Sequence, residues 1–298
     1  MKKHMGIVLF ILIILLVGCS TKKEPDVKEN AQDQVKQETE QETEKEEIGQ
    51  EETKPEETPV IKEEEKKEPS AQPKPIQKVE AIPGQHRDPN SAVVVIDPGH
   101  QLRGDSTKEP NGPGSSVMKA RVTGGTTGVA TGVAEYVMNL EISLKLKTEL
   151  ENRGYTVYLT RSTHDVNISN MERAQYATTV GADIAVRIHG NGSSSSGVRG
   201  AEVYGPTASN PYVGHLANAS RSLGKCIIDS YCAATGFKNR GVLTSDTMTG
   251  INWSSVPVTI VELGYMSNAE EDRKMQDATI QNNMVQGIAN GIDAYFGF

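Results

Sequence analysis

The run Val93-Val94-Val95-Ile96 constrains this chain more than any other stretch. Four consecutive β-branched residues read as an interior strand. Pro98 and Gly99 stop it two residues later. His100 is therefore delivered on the first turn after the strand, at the sheet edge where open α/β proteins place their sites. The same grammar recurs twice. Ile184-Ala185-Val186-Arg187-Ile188 runs into His189-Gly190-Asn191-Gly192, and Val258-Thr259-Ile260-Val261 runs into Glu262-Leu263-Gly264. Three strands each deliver a metal-competent or proton-transferring side chain where the chain turns.

The elements around these strands alternate. Ala92–Asp97 is a first strand, and Glu135–Arg153 reads as a helix stopped by Gly154. Tyr155–Leu159 is a second strand. Ser169 with Glu172 makes a capping box for a helix running to about Val180. Strands follow at Ile184–Ile188 and Gly200–Tyr204, then a helix over Pro211–Ala234. A short strand at Val242–Leu243, a loop from Thr244 to Ser255, and the strand Val258–Val261 come next. Asn268 caps a short acidic helix, and Gln281–Tyr295 closes the chain. The alternation predicts an α/β fold. It is a single domain with a mixed, mostly parallel sheet and helices on both faces, preceded by a disordered tail. Two strands in succession near 184–204 are the reason to expect the sheet to be mixed.

The amino-terminal third has a different character. Lys2 and Lys3 precede the apolar run Ile7–Val17, which is well short of the roughly 20 residues needed to span a bilayer. It fits the apolar core of a signal peptide. Leu16-Val17-Gly18-Cys19 resembles a bacterial lipobox, although Val17 departs from the small residue usual there. On that reading residues 1–19 are a lipoprotein signal and Cys19 becomes a lipid-anchored amino terminus. The alternative is a small-residue cleavage site that happens to include a cysteine. Either one sends the protein out of the cytoplasm.

Residues 20–80 hold 11 Lys, no Arg and 19 Asp plus Glu, so the chain's net charge of −8 resides there. With no aromatic residue, this segment cannot bury enough apolar surface to offset its ordering entropy. Residues 20–90 therefore read as a disordered acidic Glu/Lys/Pro linker, spanning about 40–50 Å as a coil. The remaining 91–298 are near neutral, with no basic footprint for nucleic acid. Cys226 and Cys232 fall six apart on one predicted helix, on different faces, which argues against a disulfide.

His4, His86, His164 and His215 sit in ordinary settings. His100 and His189 differ because each ends a strand. A catalytic zinc takes three protein ligands and keeps one position open, so a third ligand is needed. Glu135 is a candidate because it opens a helix; Glu109, Glu141 and Asp97 compete with it. Glu262 ends an apolar strand, where a carboxylate is costly unless paired, coordinated or solvated. It reads either as half of an ion pair with an arginine or as a general base.

Together, Val95-Ile96-Asp97-Pro98-Gly99-His100, then Glu135 four residues before Asn139-Leu140, then Ile188-His189-Gly190-Asn191, then Val261-Glu262-Leu263-Gly264-Tyr265-Met266-Ser267-Asn268, resemble the zinc-dependent N-acetylmuramoyl-L-alanine amidases (amidase type 3) of bacterial walls. Arg173 in the helix after the second strand agrees. The resemblance covers nearly all of residues 92–297. It implies that His100, Glu135 and His189 hold one zinc ion and that Glu262 is the catalytic glutamate. The implied substrate is the amide joining N-acetylmuramic acid to L-alanine in peptidoglycan, and 91–298 is then the catalytic domain of a membrane-tethered wall hydrolase. The rivals are a zinc peptidase acting on other wall peptides and a non-catalytic wall-binding lipoprotein. Nothing in the sequence names an activator, and a His₂Glu set accepts other divalent ions.

Three further residues are candidate substrate contacts. Arg187 stands where the family usually has a small residue. It reads as a cleft residue for a stem-peptide carboxylate or the oxyanion, or as a salt bridge with a neighbouring acid. Asn191 follows the His189 turn. Trp253, the only tryptophan, reads as a sugar or peptide contact or as a rim anchor. Residues 101–134 form a long Gly-rich excursion, expected to be either a substrate wall or an autoinhibitory cover.

Overall fold

The computed structural model describes residues 91–298; the signal, Cys19 and the linker lie outside the described residues. Its sheet is built from β1 (Val93–Pro98), β4 (Thr156–Leu159), β5 (Ile184–Asn191), β6 (Ala201–Gly205), β7 (Asn239–Thr244) and β8 (Val258–Tyr265). The order is β4-β1-β5-β8-β6-β7. The first four strands in that order run parallel, β6 pairs antiparallel with β8, and β7 pairs parallel with β6. The sheet is thus mixed and mostly parallel, as the succession of two strands predicts.

Both faces are covered. Val94, Ile96, Ile184, Val186, Ile188, Val261 and Leu263 pack against α1 (Glu135–Asn152), α3 (Ala217–Thr235) and α6 (Ala278–Phe296). On the other face Val95, Ala185, Val258 and Ile260 meet α2 (Asn170–Thr179) and α4 (Thr249–Asn252). Burial on both faces is why the strands read as unbroken apolar runs. Among the described residues, no helix is long and apolar enough to cross a membrane.

Several local expectations hold. Ser169 and Glu172 form the capping box of α2. The Asn268 side chain accepts from the Glu270 and Glu271 amides and so caps α5 (Ala269–Met275). Cys226 and Cys232 are free. Burial pushes both thiols up, Cys232 to about 12, so neither is a thiolate at neutral pH.

Three expectations need correction. Strands β5 and β8 do not end at His189 and Glu262 but run on to Asn191 and Tyr265, so both side chains lie within the sheet. The helix expected from Pro211 begins at Ala217, after a 3₁₀ turn over Gly214–Leu216. Asn210 Oδ1 accepts from the Tyr212 and Val213 amides and closes a separate turn there. The excursion after His100 is no featureless loop. It contains an antiparallel hairpin of β2 (Asp105–Pro110) and β3 (Met118–Val122). Only Glu109 and Val122 of its strand residues are buried, and the strands are rich in polar residues, so no apolar alternation marks it in the sequence. Several contacts pin it. Glu109 Oε1 accepts from the Met171 amide at 3.0 Å, Arg121 Nη2 reaches Glu172 Oε2 at 2.9 Å, and Trp253 Nε1 donates to Pro110 O at 2.8 Å.

Candidate active site

The chain leaves β1 through α1 to reach β4 on one side, then passes through α2 to β5 on the other. The carboxyl ends of β1 and β5 therefore flank a topological switch point, the place where open α/β sheets leave a crevice. His100 follows β1 at this crevice and His189 lies near the end of β5.

His100 has φ +58°, the only non-glycine positive φ among the described residues. That conformation costs about 1–3 kcal/mol and must be held from outside. The three carbonyls of the turn supply the grip. Pro98 O accepts from Arg161 Nε and Arg173 Nη1, both at 2.9 Å. Gly99 O accepts from Arg161 Nη2 at 3.0 Å and Asn139 Nδ2 at 3.2 Å, and His100 O from Arg173 Nη2 at 3.1 Å. The hairpin sets the ring. His100 Nδ1 lies 2.9 Å from Thr123 O, just past β3. A carbonyl can only accept, so Nδ1 carries the proton and Nε2 offers its lone pair to the crevice.

Glu135 is buried at the start of α1. Its Oε1 lies 3.2 Å from His100 Nε2 and 3.2 Å from His189 Nδ1, and accepts from Asn139 Nδ2 and the Gly190 amide at 3.1 Å each. Its Oε2 accepts from the Thr126 amide at 2.9 Å. Burial works to raise the Glu135 carboxyl, but His100 and His189 override it and hold the group well below the usual range. Burial works to lower His100, and Glu135 overcomes that to raise it. At His189 burial prevails over the Glu135 hydrogen bond and, with His100, brings the imidazole down to about 4. Neutral imidazole and ionised carboxylate are the forms that ligate metals.

Ligand atoms of His100, Glu135 and His189 lie within 4.8 Å of one another. His189 Nε2 is buried with no hydrogen-bond partner. An orphaned buried nitrogen in such a cluster is what a divalent ion would satisfy, and two imidazoles with one carboxylate suit zinc. The residues present fit a metal.

The competing acids go elsewhere. Glu109 serves the hairpin, and Glu141 pairs with Lys145 on the exposed side of α1. Asp97 is buried between Arg173 Nη1 at 2.9 Å and Arg187 Nε at 2.7 Å. Arg187 is thereby given the salt-bridge partner of its second reading, and its Nη2 also donates to Asn170. Trp253 takes the rim-anchor arrangement, and Asn191 donates to Glu202 at 2.8 Å. Glu262 is buried on β8 as the ladder partner of His189. The sequence did not single out Thr123, Thr126 or Arg161, and Asn139 entered only as part of the stretch that carries the family resemblance. Asn139 was within reach, since it lies one helical turn after Glu135; the threonines sit in a stretch without periodicity.

Gly125 shows how tightly the site is walled. It has φ +76°, and a Cβ there would lie 2.7 Å from Glu135 Oε2 and 2.9 Å from the His100 ring. Gly125→Ala is expected to weaken metal binding by about 10–100-fold, the range for disturbed ligand support. Competition against a chromogenic chelator measures it, and wild-type affinity would count against this packing.

Residues 94–294 match the profile of the Amidase_3 family, described as N-acetylmuramoyl-L-alanine amidase. The chain belongs to this family. Among relatives of the Amidase_3 chain, the N-acetylmuramoyl-L-alanine amidase LytC of Bacillus subtilis is 30% identical over 204 residues, covering 68% of this chain and 35% of LytC. The amidase AmiC of Neisseria meningitidis is 23% identical over 249 residues, covering 72% of this chain and 55% of AmiC. The chain thus spans about a third to a half of the length of these two relatives. The catalytic domain of CwlV, an N-acetylmuramoyl-L-alanine amidase from Bacillus (Paenibacillus) polymyxa, superposes with a TM-score of 0.55 at 29% identity, covering 68% of this chain and 97% of that one. The apo amidase Ami1 of Mycobacterium abscessus gives 0.62 at 26% identity, covering 69% and 98%.

Proposed function

We propose that this Amidase_3 chain is a zinc-dependent N-acetylmuramoyl-L-alanine amidase that cuts the amide between N-acetylmuramic acid and L-alanine in peptidoglycan. The observation that carries the reading is the His100–Glu135–His189 cluster with its orphaned His189 Nε2. Family membership supplies the bond to be cut.

His100 Nε2, His189 and the Glu135 carboxylate would hold the ion. A zinc ion there supplies Lewis acidity, which polarises the amide carbonyl and acidifies a water. Glu262, one strand over from His189, takes a proton from the attacking water and returns it to the leaving nitrogen. The second transfer is needed because an amide anion is a very poor leaving group. The pinned hairpin forms a standing wall beside His100 rather than a loose cover, since Glu109, Arg121 and Trp253 tie it to the body. Residues 91–298 form the catalytic domain. Residues 1–19 and Cys19 provide a lipid anchor, and 20–90 a tether, so that the domain works outside the cytoplasm against the wall.

The test uses purified full-length protein and muropeptides. One zinc per chain is expected, with release of a free L-alanine amine from intact muropeptide. Chelation is expected to abolish cleavage and added zinc to restore it. Cleavage of plain peptides but not muropeptides would move the reading to a peptidase. Undiminished cleavage by the metal-free chain would remove zinc from it.

A further inference from the structure

Three residues at one level of the sheet form a row. His189 on β5 is the ladder partner of Glu262 on β8, and Glu262 is the ladder partner of Glu202 on β6. Adjacent strands lie about 4.8 Å apart, and directly opposed residues share a face. The proposed reaction uses the first two and has no use for Glu202, which is nonetheless fully buried. A carboxylate in that position is costly unless it is thoroughly paired.

Its partners are informative. Arg240 Nε on β7 reaches Glu202 Oε2 at 2.5 Å, and the same guanidinium lies 5.3 Å from the centroid of the Tyr265 ring. Oε1 accepts from Asn191 Nδ2 at 2.8 Å, Tyr204 Oη at 2.9 Å and Tyr265 Oη at 3.2 Å. Asn191 comes two residues after His189, whereas Tyr265 comes three after Glu262. The two are themselves ladder partners, so the register slips between the functional pair and this one. β8 therefore carries one extra residue just past Glu262. Such bulges re-aim neighbouring side chains and recur beside active sites. Gly264 lies in the bulge, where a Cβ would come within 2.6 Å of the Phe237 ring.

We propose that Glu202 is a positioning residue: its carboxylate, anchored by Arg240, ties Asn191 to Tyr265 across the β8 bulge and so fixes Glu262 relative to His189. The part concerning turnover rests on the reading of the site as a metal-dependent amidase. One oxygen atom holds the far ends of both strands, so its loss loosens the angle between metal ligand and base without touching either. Asn191 contributes to the site through this tie.

Glu202→Gln keeps the shape and removes the charge, and Tyr265→Phe removes one donor. In the full chain, kcat on muropeptide is expected to fall about tenfold in Glu202→Gln, with KM unchanged. The visible bands of the Co²⁺-substituted protein should shift, and Tyr265→Phe should change both in the same direction by less. Wild-type kcat with an unaltered Co²⁺ spectrum overturns the proposal, as does a loss confined to melting temperature. If Glu202→Gln does not fold, Tyr265→Phe decides by the same two readouts. If the wild-type chain neither binds Co²⁺ nor cleaves muropeptide, the functional reading fails on its own. Amide exchange over Gly264–Met266 then decides the tie: faster exchange in Glu202→Gln or Tyr265→Phe sustains it, and unchanged exchange overturns it.

Discussion

Glu262→Gln is expected to lower kcat for muropeptide cleavage by about 10²–10⁴, the contribution of a positioned acid–base group, while one zinc per chain stays bound. The reason lies in the division of labour across two strands. His100, Glu135 and His189 form the cluster, and Glu262 stands on the neighbouring strand as the ladder partner of His189. Glutamine preserves the volume and removes only the ability to accept and return a proton. Metal analysis and steady-state kinetics on the same preparation measure both halves. A variant that binds zinc and turns over at the wild-type rate would refute Glu262 as the base. Loss of zinc together with activity would instead place Glu262 among the groups that hold the metal.

Asp97→Ala should be the most destabilising of the substitutions considered, by about 3–5 kcal/mol, the cost of removing one partner of a buried ion pair. Asp97 is held by two guanidinium groups and by the Thr160 hydroxyl, and Arg173 is among the most deeply buried large side chains. Removing the carboxylate leaves Arg173 and Arg187 as neighbouring buried positive charges. Arg173 also grips the Pro98 and His100 carbonyls, so the turn that carries His100 should loosen as well. The pH dependence has a definite sign. Burial works to raise the Asp97 carboxyl, but Arg187 and Arg173 overcome it and hold the group far below its ordinary value. A depressed folded-state value means the stabilisation is complete above the unfolded pKa of about 3.9 and is lost progressively as pH falls below it. Urea unfolding from pH 7 to pH 3 should show the difference between wild type and Asp97→Ala narrowing as the pH falls. A difference under about 1 kcal/mol at pH 7 would contradict the ion-triad account.

The legible part of the site was the part that depends on strands. His100, His189 and Glu262 stood out because a buried strand writes a continuous apolar run, and a polar residue ending such a run is conspicuous. The two-sided burial of Val94, Val95 and Ile96 is the tertiary counterpart of that pattern. Glu135 was less visible. A first-turn acid suits any helix, and its selection over Glu109, Glu141 and Asp97 came from family resemblance, with which the geometry agrees. The β2–β3 hairpin had no signature because only Glu109 and Val122 of its strand residues are buried, which leaves no apolar alternation to read.

The sequence by itself determined the layered α/β class, the charge separation between tail and domain, and the three apolar runs that lead to His100, His189 and Glu262. These follow from periodicity and composition, which act over a few neighbouring residues. The tertiary structure alone decided which arginine meets which acid, that Thr123 orients His100, and that Glu202 ties Asn191 to Tyr265. Those contacts join residues 23 to 90 positions apart in the chain or bridge three strands. Their energies depend on distance and burial in space, and local sequence carries no record of either.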